Sequence, residues 1–135
     1  MKFEDFITDG KIRKAQQDPQ QAKSLLQMSE QNLKAIKEIQ LTDSTASILF
    51  SQIYESLRQV IEAIAILKGF KVYSHEAYTY FLKELSEDVA SQKFDRLRRL
   101  RNGINYYGKP VSVAVTKNTL EEVSQLCAKL KEKYC

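Results

Sequence analysis

Apolar residues recur at steps of 4, 3, 4 and 3 through Ala22, Leu26, Ser29, Leu33 and Ile36, the spacing of one helix face. Leu25 and Met28 widen that face, and Asp18-Pro19 supplies an N-cap with proline at the first helical position. The helix is expected to reach about Ile39. A second stripe, Ile53, Leu57, Val60, Ile64 and Leu67, keeps the same rhythm. Thr42 and Asp43 offer its caps, and Gly69 ends it as a C-cap glycine does. Ile61, Ala65 and Ile66 make its last turns apolar nearly all round, which calls for burial within the chain or against a second one. Glu55 and Glu62 fall opposite the stripe, where they read as solvated surface or as partners for arginines across an interface.

Ser74 opens a third helix, to about Leu85, with Tyr78, Phe81, Leu82 and Leu85 as its apolar face. Glu76 suits the positive end of the dipole, and His75 reads as a packing or capping group. A fourth helix begins near Asp88 or Ser91. Asn118 with Glu121 makes a capping box for the last, whose stripe is Leu120, Val123, Cys127, Leu130 and Tyr134. Between them, Lys109 to Val115 alternates like a strand that has no partner, so it reads as extended linker or early helix. Phe3, Phe6 and Ile7 form one turn against the body. The expected fold is all-α: an antiparallel up-and-down four-helix bundle with a short extra N-terminal helical segment. Residues 1–18 form an extension and 19–135 the bundle of a single domain.

Composition narrows this little. The 135 residues suit one domain, and 43% apolar with 28% charged residues is the balance of a globular protein. No run has the length of a membrane span. Acids stand near the start where a signal peptide has a basic flank, so the expected location is cytoplasmic. Cys127 and Cys135 lie on one helix, Cys127 as a small core residue. With one histidine and no paired cysteine motif, neither a metal site nor a cofactor is expected.

Charge changes the picture more. The net charge is only +4, but Lys93 to Lys109 holds six cations (Lys93, Arg96, Arg98, Arg99, Arg101, Lys109) against the single acid Asp95, and the remainder is close to neutral. Such concentration points to an anionic partner or to acids on neighbouring helices. On a wheel of about 100° per residue with Leu97 at zero, the apolar face centres near about 340°. Arg101 falls at about 40°, on the edge of that face, with Asn105, Arg98 and Asn102 following at about 80°, 100° and 140°. Arg96 and Arg99 point elsewhere. A guanidinium at the position of Arg101 needs an acid, carbonyls or a bound anion. Two readings of Arg98, Arg101, Asn102 and Asn105 stand: a site for a phosphate or base edge, or a hydrogen-bond network fixing the helix to a neighbour. Tyr106 lies about 140° from Arg101, so the two converge only if the helix unwinds before Gly108 or a second chain supplies the missing half.

The run Arg101-Asn102-Gly103-Ile104-Asn105-Tyr106-Tyr107-Gly108 resembles the HEPN superfamily (higher eukaryotes and prokaryotes nucleotide-binding domain). Ser74-His75-Glu76 and the segment from Ile53-Tyr54 to Gly69 support the resemblance, which spans about residues 22–134. It implies a helical bundle that dimerises and works around nucleotides or RNA, often beside a nucleotidyltransferase. In ribonuclease members an arginine is followed, after four to six residues, by a histidine. Carried over, Arg101 matches the arginine and Asn102 the polar residue after it. Tyr106 stands where the histidine would after four residues, Tyr107 after five. A phenol with pKa near 10 is a poor base at neutral pH. The expected function is therefore a non-catalytic nucleotide- or RNA-associated module, with Arg98, Arg101, Asn102, Asn105, Tyr106 and Tyr107 as binding residues. The alternatives are a ribonuclease using Arg101 and Tyr106, and a purely structural or interaction bundle.

Overall fold

The computed structural model describes all residues 1–135. In order the elements are α1 (Phe3–Thr8), β1 (Ile12–Lys14), α2 (Pro19–Glu38), α3 (Ala46–Leu67), β2 (Phe70–Val72), α4 (His75–Glu84), α5 (Asp88–Tyr107) and α6 (Val113–Tyr134). The fold is all-α, 74% helical, with only a tiny two-stranded sheet.

α3 is the central element, with α2, α5 and α6 packed around it and α4 lying on α5. Its last turns are buried within the chain itself, Ile61, Ala65 and Ile66 included. The α2 stripe contains Ser29 because two helices meet closely there: its hydroxyl donates to the Ser56 carbonyl at 2.7 Å, fully buried. Asp18 caps α2 by accepting from the Gln21 amide at 3.0 Å. The cap of α3 is Thr45 rather than Thr42 or Asp43; Thr42 instead closes a turn with it, its hydroxyl accepting from the Thr45 amide at 3.3 Å.

The sheet is a clip that periodicity over three residues cannot announce. β1 and β2 are antiparallel, with Ile12 opposite Val72 and Lys14 opposite Phe70. Gly69 makes it possible, at φ +84°, where an added Cβ would meet the Ala15 carbonyl oxygen at 3.2 Å. The Tyr73 amide donates to the Lys11 carbonyl at 2.7 Å, which fixes the chain entering α4. Phe3, Phe6 and Ile12 join the main core, so residues 1–18 pack into the bundle and steady the start of α4.

The last helix begins earlier than Asn118. Ser112 is its N-cap, accepting from the Val115 amide at 3.1 Å, and Asn118 is an exposed second-turn residue. The strand-like alternation of Val111, Val113 and Val115 is overridden by packing, because Thr116 is buried and donates to the Ala46 carbonyl at 3.2 Å. α5 runs unbroken to Tyr107 and ends at Gly108 (φ 61°), beyond which the Lys109 amide returns to the Gly103 carbonyl at 2.9 Å. Gly103 itself lies within α5, and a Cβ there would make only an ordinary 3.7 Å contact with Lys109. Gly103→Ala is therefore expected to stabilise the fold by about 0.5–1 kcal/mol, read as a rise in the urea midpoint.

Candidate functional site

α5 sends Phe94 and Leu97 fully into the core. One turn after Leu97, Arg101 reaches the seam where α3, α4 and α5 meet. Its guanidinium lies over the Tyr54 ring, 5.0 Å from the centroid, with Nη2 2.7 Å from His75 Nδ1. The Tyr54 hydroxyl stands 2.7 Å from the same nitrogen. Tyr54 stacks on His75 at 5.7 Å and on Phe94 at 5.3 Å, so a core aromatic supports the polar cluster from beneath.

A guanidinium only donates, so Nδ1 accepts and the imidazole proton sits on Nε2. Burial, then the positive charges of Arg101 and Arg58, push the His75 pKa below its usual value, with Glu55 opposing. Burial pushes the Tyr54 hydroxyl up to about 12, against the pull of Arg101. Tyr54 thus stays a protonated hydroxyl and His75 a neutral ring near pH 7.

Arg101 differs from the other arginines of α5. Arg98 reaches Asp95 at 2.8 Å, Arg99 reaches Asp95 at 3.0 Å, and Arg96 reaches Glu122 of α6 at 2.8 Å. Burial alone would raise Asp95; Arg98, Thr79 and Arg99 outweigh it and hold the carboxyl below its usual value. Arg101 has no carboxylate partner, and its buried Nε has no hydrogen-bond partner at all. Such a cation, without a counter-ion, suits an incoming anion, while its Nε, closed to solvent, stays an unmet internal donor.

The flanking polar layer is filled from α3. Arg58 donates to Glu62 at 2.6 Å, to Glu55, and to the Tyr78 hydroxyl at 3.3 Å. Glu55 and Glu62 are therefore neither free surface nor partners of another element; they hold an arginine of their own helix. Asn102 is half-buried and Asn105 exposed beside Arg101. Tyr106 and Tyr107 are 70% and 75% exposed. Since α5 does not unwind, Tyr106 stays across the helix from Arg101 within one chain, and Tyr107, the last residue of α5, is not buried in the core. No three His, Cys, Asp or Glu side chains form a metal-binding group. Cys127 is buried, its thiol pushed up to about 12 by burial.

No protein-family model, curated protein or solved structure matches the chain. No helix is long and apolar enough to cross a membrane.

Tyr54 and His75 are the site residues that helix periodicity missed. Tyr54 sits beside Ile53 in the most buried helix, and a phenol there requires a partner for its hydroxyl; that requirement was the available signal. His75 stood out only as the single histidine and as part of Ser74-His75-Glu76, one of the segments that support the resemblance.

That singularity gives a clean pH test. The folded-state pKa of His75 lies below the unfolded value of about 6.5, so below that pH the unfolded chain binds a proton that the folded one refuses. Stability is then full above about 6.5 and falls as pH drops toward the folded pKa. Wild type is expected to lose urea resistance between about pH 7 and pH 5.5, and His75→Gln to show a flatter profile there.

Proposed function

We propose that the protein is a non-catalytic nucleotide- or RNA-binding module of HEPN type, with a phosphate received at Arg101. The observation that carries this reading is the half-buried Arg101, free of any carboxylate. The Nε2–H of the neutral His75 ring is a second donor on the same seam, and Asn102 and Asn105 offer amide groups for a base edge. Tyr106 and Tyr107, exposed at the end of α5, offer rings on which a longer single strand stacks.

Binding fits the side chains better than acid–base chemistry does. The Tyr54 hydroxyl holds its proton up to about 12, His75 Nδ1 is occupied, and Tyr106 is turned away from Arg101. The resemblance adds to this reading a homodimer and a nucleotidyltransferase partner. A structural role is favoured for Arg96, which holds Glu122, and for Arg98 and Arg99, which share Asp95.

The test is a titration of isotope-labelled protein with a short single-stranded oligoribonucleotide at low salt. The His75 imidazole and Arg101 guanidinium resonances are expected to shift. Unmoved His75 and Arg101 signals, at any oligonucleotide concentration, would contradict the proposal.

A further inference from the structure

The flank of α5 turned away from Arg101 is bare. Gln92, Arg96, Arg99, Gly103 and Tyr107 form one stripe along it, spaced 4, 3, 4 and 4 residues apart. With Thr79 and Lys83 of α4 on one side and residues 109–111 on the other, this stripe encloses an open groove of about 720 Å³. Arg101 and His75 do not line it.

Two features define what fits. The floor offers apolar surface, from Leu100, Val111 and the Tyr107 ring, and Gly103 adds no side chain to it, with Lys109 the nearest neighbour of a Cβ built there, at 3.7 Å. The rim carries Lys83, Arg96, Arg99 and Lys109 against one acid, Asp95, whose oxygens are already taken by Arg98, Arg99 and Thr79. We propose that this groove receives an acidic amphipathic helix of a partner protein. Its apolar side chains lie on the floor, its backbone approaches α5 closest at Gly103, and its carboxylates meet the cations of both walls.

Charge complementarity selects this occupant. Arg96 and Arg99 already hold carboxylates, at 2.8 and 3.0 Å, on side chains 52% and 74% exposed. Exposed pairs of this kind contribute little and exchange readily for a partner's carboxylates. The apolar floor favours a protein over an RNA strand, whose backbone would leave it unfilled. A second copy of this chain does not fit. Its short acidic helix α1 buries Phe3 and Phe6 in its own core, and the stripes of α2, α3 and α6 are buried as well. The groove and the Arg101 seam lie on opposite flanks of α5 and share only the Tyr107 ring, so this proposal does not depend on a phosphate being received at Arg101.

The test uses the full chain and a fluorescent peptide of about 18 residues, roughly five helical turns, with leucines at i, i+3, i+4 and i+7 and glutamates elsewhere. Controls are the same peptide with lysine for glutamate and a labelled oligouridylate. The glutamate peptide is expected to bind and the lysine peptide not to. Gly103→Leu, which fills the floor, and the double variant Lys83→Glu/Lys109→Glu are each expected to weaken binding at least about tenfold, with the circular dichroism of both variants unchanged. The proposal is overturned if the glutamate peptide fails to bind, if both variants bind it as wild type does, or if these variants lose oligouridylate and keep the peptide.

Discussion

Phe94→Ala is expected to cost about 3–5 kcal/mol, the largest stability effect of any single truncation near the site. The ring is fully buried, stacked on Tyr54 at 5.3 Å and edge-on to Tyr78 at 6.0 Å. It fills the space where α3, α4 and α5 meet, and helices held at both ends cannot close that space once it is emptied. The missing ring costs its transfer free energy plus the cavity left behind. It also removes the surface that holds Tyr54 beneath Arg101. At a urea dependence of about 1–3 kcal/mol per molar, the midpoint falls by roughly a molar or more. Phe94→Leu, which keeps most of the volume, is expected to cost less than about 1.5 kcal/mol. Equal losses for the two variants would show that the ring is not packed as described.

Arg101→Gln is expected to lower affinity for single-stranded RNA about tenfold to a hundredfold while leaving the fold intact. A hydrogen bond to a charged group contributes about 1.5–3 kcal/mol, and each 1.4 kcal/mol is about a factor of ten. The stability change has a different sign of reasoning behind it. In the free protein Arg101 is a half-buried cation without a carboxylate, with one buried donor unused. Gln keeps an amide able to meet His75 and removes the uncompensated charge, so the urea midpoint should stay or rise. A purely structural arginine would behave in the opposite way, losing stability and leaving affinity alone.

Much of this was legible in the sequence and some was not, for definite reasons. The α2 and α3 stripes follow directly from the 4-and-3 spacing of Ala22 to Ile36 and Ile53 to Leu67. The direction of Arg101 followed from the wheel, because α5 stays regular through Tyr107. The partners of Arg101 did not follow. Tyr54 and His75 lie on other helices, with His75 separated from Tyr54 by 21 residues and from Arg101 by 26. Their meeting depends on how α3, α4 and α5 pack, which local patterns do not encode. The β1–β2 clip that places His75 is too short to show a period. Asn118 with Glu121 matches a capping box and draws the start of α6 too late, while the alternation of Val111, Val113 and Val115 leaves that segment open between extended linker and early helix. The hydroxyls of Ser112 and Thr116 settle that segment as helix. Glu55 and Glu62 were read from their side of the helix alone, when Arg58, three residues after one and four before the other, decides their role.

On the proposed reading one arginine of α5, and not its general basicity, receives the anion. The most direct measurement is the affinity of wild type, Arg101→Gln and Arg99→Gln for one single-stranded oligoribonucleotide across a salt series. Arg101→Gln is expected to lose at least about tenfold and about one unit of salt slope. Arg99→Gln, whose side chain is 74% exposed and paired with Asp95, should stay close to wild type. Equal losses in the two variants, or an Arg101→Gln protein that binds as wild type does, would contradict it.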